Sequence, residues 1–303
     1  MWTARSRFST RRSPKATTII PATTSPRLAA DTVSRGPFAE AVVCITGASS
    51  GIGAELARQC AMQRSRLVLA ARDAERLEAV AADCRAQGAH VLVVKTDVAV
   101  EADCKALIDA TIAQFGRLDM LINNAGLGAS GLFRDITDLS VFERVMRVNF
   151  LGSVWCTSYA LPHLEASRGR LVAVSSLTGL AGVPKRTAYG ATKHAMAGFF
   201  DSLRIELDGT GVGVTVVYPG FVFSEINRHA LSPDGTPWGD RGYKRRPGET
   251  MPTDECCRLI LHAAARRDRD LVMTWRGKLG RLLKLIAPSL VDRLARRAID
   301  GKQ

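Results

Sequence analysis

From residue 40 onward the chain alternates short apolar runs with longer stretches whose apolar residues return every three or four positions. AVVCIT (41–46), RLVLAA (66–71), HVLVVKTD (90–97), LDMLINNAG (118–126), residues 170–175 and GVTVVYPG (213–220) are apolar almost throughout. Such runs predict strands buried on both faces of a sheet. Between them, residues 51–61, 74–88, 100–116, 141–159 and 189–208 carry the helical period, and Gly88 closes the second of these. Strands alternating in this way with helices predict an α/β architecture. The expected fold is one doubly wound, Rossmann-type domain, its central parallel sheet flanked by helices on both faces.

The pattern fails at both ends. Residues 1–37 are rich in Ser, Thr, Arg and Pro and have no hydrophobic period, which predicts a disordered or loosely attached extension. The segment is poor in acids, as transit peptides are, but a plain tail or a misassigned start codon fits equally, so organellar targeting stays open. A globular domain is expected over 38–275, followed by a basic amphipathic helical extension over 276–303. No run approaches the roughly 18–20 apolar residues of a membrane span, and the expected location is cytoplasmic.

Net charge is +13, a value that would suggest nucleic acid until it is located. Residues 1–37 hold seven Arg or Lys against Asp31 alone, and residues 276–303 hold eight against Asp292 and Asp300. The body is almost neutral and lacks the basic stripe that tracks a phosphate backbone, so no nucleic-acid partner is expected. In the C-terminal extension, split at Pro288, residues Leu279, Leu282, Leu283 and Ile286 share one side among arginines and lysines. Peripheral contact with an anionic membrane and packing on the domain or a partner subunit are both open. The seven cysteines are scattered and the five histidines add no metal-ligand spacing. No metal is expected, and the cysteines read as small buried hydrophobes of a reduced compartment.

Three stretches carry candidate chemistry. TGASSGIG (46–53) joins the first strand to the first helix, where Gly47 permits a tight turn, Gly51 lets backbone approach a pyrophosphate and Gly53 allows close packing. The helix N-terminus then faces the phosphates, and Ser49 and Ser50 can donate to them. At the end of the second strand, LAARDAE has Ala71 where an NAD binder needs a carboxylate, followed by Arg72. A guanidinium there suits a 2′-phosphate, so NADP is expected over NAD, although Asp73 could pair with Arg72. In SSLTGLAGVPKRTAYGATKHA (175–195), Tyr189 and Lys193 share a helix face. A nearby ammonium would lower the phenol's pKa and make it a proton donor and acceptor at neutral pH.

Together, TGxxxGIG at 46–53, NNAG at 123–126, Asn149, Ser176, Tyr189-x-x-x-Lys193 and PG at 219–220 resemble the short-chain dehydrogenase/reductase family in its single-domain form. The resemblance implies an oxidoreductase acting on CH–OH groups, with Tyr189 as general acid/base, Lys193 tuning it and holding the nicotinamide ribose, and Ser176 holding the substrate oxygen. Ser175 is the expected packing neighbour, and Asn149 is expected to hold a water linking Lys193 to solvent. The implied cofactor contacts also include Ile52, Asp97, Val98, Asn123, Ala125, Gly126, Pro219, Gly220, Val222 and Ser224. The resemblance makes 38–275 the catalytic domain and 225–252 the segment that covers the substrate, a lid with an aromatic wall or else a solvated loop with a short basic patch. Leu127, Leu177, Leu180 and Val183 could line an apolar pocket for a small-molecule ketone, aldehyde or alcohol. Homodimers or homotetramers through the helices at 141–159 and 189–208 are implied as well. The alternatives are a 3-oxoacyl-thioester reductase, a non-catalytic NADP(H) sensor and a membrane-surface protein acting through its basic ends.

Overall fold

The computed structural model describes residues 36–222, 225–242 and 250–300. Seven strands form one parallel sheet: β1 (Val42–Thr46), β2 (Arg66–Ala71), β3 (Val91–Lys95), β4 (Met120–Asn123), β5 (Arg170–Val174), β6 (Gly213–Tyr218) and β9 (Asp270–Val272). Their spatial order is β3-β2-β1-β4-β5-β6-β9. The chain winds outward from β1 to one edge, returns, and adds β4 on the other side, pairing Cys44 with Leu121. This reversal opens a crevice above the C-terminal ends of β1 and β4, the place where ligands bind such sheets.

Six strands lie where the hydrophobic pattern puts them. The seventh, β9, is a three-residue edge strand with only Val272 fully buried, too short to stand out as an apolar run. Helices α1 (Gly51–Met62), α2 (Ala74–Ala86), α3 (Glu101–Phe115), α4 (Ser140–Met146), α5 (Gly152–Ser167), α6 (Thr187–Glu206) and α8 (Thr253–Arg266) cover the sheet. One apolar layer joins β1, α1, α2 and α8 through residues such as Ile45, Leu56, Leu77 and Ile260. The opposite layer joins the sheet to α3, α5 and α6 through Leu107, Cys156, Leu164 and Phe200. All seven cysteines are buried free thiols within these layers.

Local chemistry sets the helix ends that matter to the site. Asp73 caps α2, its Oδ1 accepting from Arg76 N at 3.0 Å, and Gly116 ends α3 in the left-handed region at φ 72°. The single helix expected over 141–159 is instead α4, a π turn over Arg147–Leu151, and α5, which runs eight residues further than the pattern suggested. α5 continues through Pro162, a residue that sequence reading takes as a stop.

Beyond β6 the chain is more irregular. A two-stranded pair, β7 (Phe221–Val222) and β8 (Thr250–Met251), brackets the lid region, which contains the short helix α7 (Ile226–His229). Ala129 bridges to Leu231, and Trp238 Nε1 donates to Ser130 O at 3.1 Å, so the lid rests on the loop after β4. The expected lid residues 243–249 and the expected cofactor contact Ser224 lie outside the described residues. The C-terminal extension forms α9 (Trp275–Ile286) and α10 (Pro288–Asp300), divided at Pro288. Among the described residues, no helix is long and apolar enough to cross a membrane.

Candidate active site

The glycine-rich turn leaves β1 with Gly47 at φ 66° and enters α1 with Gly51 at φ 53°, conformations that favour glycine. A Cβ at Gly53 would stand 2.2 Å from Gly47 O and 2.5 Å from Asn124 Nδ2, so only hydrogen fits there. Ser50, the residue before α1, is extended and makes no side-chain cap. The first turn of α1, with Ser49 and Ser50 just before it, therefore keeps N–H groups that no side chain caps, a cradle that fits a pyrophosphate. Ile52 follows on α1, its carbonyl accepting from Cys257 Sγ at 3.4 Å.

The turn is held from β4 by a residue that sequence reading passed over. Asn124 donates through Nδ2 to Thr46 O at 2.9 Å and Gly47 O at 3.2 Å. Thr46 Oγ1 in turn accepts from Asn124 N and Ala125 N, both at 3.1 Å. Asn123, an expected contact, is buried and its Nδ2 donates to Thr157 Oγ1 at 2.9 Å, tying β4 to α5. The NNAG motif was the available signal. It does not say which asparagine turns inward, because alternation along a strand is lost where the strand ends.

The remaining adenosine-side residues gather at the ends of β2 and β3. Arg72 is exposed just past β2, and among the described residues its guanidinium has no ion-pair partner. Asp73 does not pair with it, being used as the α2 cap. Asp97 Oδ1 accepts from Ala99 N at 3.0 Å, which fixes the loop carrying Val98. That loop packs closely on α5: a Cβ at Gly152 would sit 2.7 Å from Val98 O. Gly126 is exposed at the crevice beside the partly buried Ala125.

The chemical groups converge from β5, β6 and α6. Ser175 is buried, with Oγ donating to Lys193 O at 3.1 Å. Ser176 starts a 3-10 turn over Leu177–Gly179 and faces the Tyr189 phenol, favouring its anion. Pro219 O accepts from Leu177 N at 3.0 Å, which sets the Pro219–Gly220 turn and the start of β7, with Val222, against the Ser176 turn. Lys193 is 2 % exposed, with Nζ donating to Val174 O at 2.8 Å and lying 5.7 Å from the Tyr189 ring centroid.

Burial bears first on the protonation of this pair. Burial, not the lysine, dominates the phenol: it pushes the Tyr189 pKa up, and the groups opposing it are Arg186 and Ser176. Burial also pushes the Lys193 amine down to about 7, so near neutrality it carries only part of a charge. The expected tuning of Tyr189 by Lys193 takes the lysine as an ordinary ammonium, whereas both groups sit in a low-dielectric interior. Asn149 is wholly buried in the π turn. Its Oδ1 accepts from Leu127 N at 2.7 Å, and Nδ2 donates to Leu127 O at 3.0 Å and Thr192 Oγ1 at 2.9 Å. The side chain is thereby occupied in joining the β4 loop to α6. Leu177 and Leu180 pack on the α3–α5–α6 layer and Leu127 on a small cluster with Val141 and Leu231.

Comparison with known proteins agrees with this fold. The family model described as short chain dehydrogenase matches residues 41–234. An 11-beta-hydroxysteroid dehydrogenase of Pinus massoniana is 40% identical over 259 residues, covering 83% of this chain and 72% of that protein. A dehydrogenase/reductase SDR family protein 7-like of Dictyostelium discoideum is 34% identical, covering 84% and 81%. Among solved structures, a short chain dehydrogenase/reductase from Burkholderia phymatum in complex with NAD is similar at a TM-score of 0.77 and 28% identity, covering 84% of this chain and 96% of that one. An alcohol dehydrogenase from Thermococcus sibiricus complexed with 5-hydroxy-NADP aligns at 0.66 and 25% identity, over 76% and 94%.

Proposed function

The chain belongs to the short-chain dehydrogenase/reductase family of nicotinamide-dependent oxidoreductases acting on CH–OH groups, and we propose that it uses NADP(H) to interconvert a lipophilic ketone or aldehyde with its alcohol. The observation that carries this reading is the meeting of Ser176, Tyr189 and Lys193 from two elements beside the crevice. Ser176 holds the substrate oxygen, and Tyr189 gives it a proton during reduction or takes one during oxidation. Lys193 lies under the phenol ring and holds the nicotinamide ribose. The cofactor, when bound, supplies or accepts the hydride; the protein contributes alignment and the proton path.

The preference for NADP(H) rests on Arg72, free to form charge-assisted bonds at the end of β2 where no carboxylate stands. The lipophilic substrate is supported by the apolar side chains of Leu127, Leu177 and Leu180 and by relatives named hydroxysteroid dehydrogenases. Peripheral contact with an anionic membrane through α9 and α10 belongs to the same reading, since Leu282, Leu285 and Ile286 are exposed among basic residues. So does assembly as a dimer or tetramer through α5 and α6.

The test is oxidation of NADPH by purified protein against a panel of sterol-like ketones, aldehydes and acyl thioesters, with Tyr189→Phe as control. The expected result is turnover on apolar ketones or aldehydes, lost in the variant while NADPH still binds. Turnover with NADH alone overturns the cofactor assignment, and turnover confined to acyl thioesters overturns the substrate class. Co-flotation with anionic vesicles, lost when residues 275–303 are removed, checks the membrane contact.

A further inference from the structure

We propose that Arg186 is a positioning residue of the reaction site: its guanidinium seats the lid helix α7 on the loop after β4 and brings a positive charge to the face of α6 that bears Tyr189. The inference rests on the reading of Tyr189 as the proton-transfer group and assigns to Arg186 a task that sequence reading gave to Lys193. Arg186 is the residue immediately before α6, and residues three apart on a helix are neighbours. Its carbonyl accepts from Gly190 N at 2.7 Å, which fixes the backbone from which the side chain springs.

The guanidinium fork spans two other segments. Nη1 donates to Ala129 O at 3.3 Å and Nη2 to Asn227 Oδ1 at 3.4 Å. Ala129 is also the residue that bridges to Leu231 just beyond α7. Among the described residues, the joints between the lid helix and the β4 loop include the Leu231 bridge and Arg186 by way of Asn227. Loss of the guanidinium frees one of those joints.

The surroundings of the phenol make the charge matter. On α6, Lys193 has its amine on Val174 O and is pushed down to about 7 by burial, so its field is weak near neutrality. The 3-10 turn offers the neutral Ser176 hydroxyl. On the lid, Glu225 is taken up by Arg76 at 2.9 Å and by Arg228 at 3.5 Å, and α7 presents the neutral Asn227 to the guanidinium. Among the described residues, Arg186 is thus a cation whose charge opposes the burial of Tyr189. Arginine keeps its charge at every working pH, as a buried lysine does not.

Two substitutions separate the two halves of the role. Arg186→Gln keeps hydrogen-bonding capacity and removes the charge, whereas Asn227→Ala removes the lid joint and leaves the charge. The four tyrosines allow Tyr189 to be isolated by ultraviolet difference titration against Tyr189→Phe, a readout that needs no turnover. Arg186→Gln is expected to raise the Tyr189 midpoint, and Arg186→Lys to restore it. Asn227→Ala is expected to leave that midpoint in place and raise KM several-fold with little change in kcat. A folded Arg186→Gln protein whose Tyr189 midpoint equals that of the parent overturns the electrostatic half, and an unchanged KM in Asn227→Ala overturns the lid half. Failure of the proposed function is a different result: no turnover by the parent, with the titration shift intact.

Discussion

Replacing Lys193 by Met should make the protein more stable near neutral pH while abolishing its chemistry. Burial draws the Lys193 amine from 10.5 to about 7. At ~1.4 kcal/mol per tenfold change, that gap corresponds to roughly 4–5 kcal/mol against keeping the ammonium in the fold. Between those two pH values the unfolded chain holds a proton on this lysine that the folded protein has released. Stability from this group is therefore fully present above pH 10.5 and lost as pH falls through about 7. Methionine has nearly the same length and no charge, so the variant escapes this dependence. It gives up the hydrogen bond to Val174 O, worth about 1 kcal/mol, but by the same amount at every pH. Urea unfolding of parent and variant at two pH values provides the assay. The parent should gain roughly 2 kcal/mol on the variant between about pH 7 and pH 9. A stability difference that stays constant over that interval would refute the argument, because the lysine would then titrate alike in both states.

Two further outcomes follow from the nucleotide turn. Gly53→Ala puts a methyl 2.2 Å from Gly47 O, so the turn must open, with an expected cost of about 2–3 kcal/mol and loss of NADPH binding by fluorescence titration. Asn124→Asp replaces the donor that serves Thr46 O and Gly47 O with an acceptor. It should lower stability by about 1–3 kcal/mol and weaken cofactor binding, whereas Asn124→Gln should retain part of both.

The sequence was most legible where one cause dominates. β1 is buried at all five positions and β2 at five of six, so apolar runs alone located them. Gly47, Gly51 and Gly53 could be read because a Cβ at Gly47 or Gly53 would clash and Gly47 and Gly51 have positive φ, constraints that spacing preserves. Ser176, Tyr189 and Lys193 could be named from order and spacing, but their electrostatics could not, since burial depth is set by β5, β6 and α6 together. Asn124 was invisible because the two asparagines of NNAG differ only in which way a strand end turns. Arg186 was invisible for a similar reason: its partners Ala129 and Asn227 lie 57 and 41 residues away, and nothing local marks that meeting.

The π turn at Arg147–Leu151 works as a change of angular frame within what would otherwise be one continuous rod. It takes in one residue more than an α turn, which alters the phase of everything after it by about 100°. α4 can then aim Val141 and Val145 at the small cluster beneath the lid, while α5 aims Cys156, Ala160 and Leu164 at the sheet. A regular α-helix over these same residues, without the wide turn, would have to misalign one of those two apolar faces. The inserted residue is thus what lets a single stretch of chain serve two directions, with Asn149 at the joint.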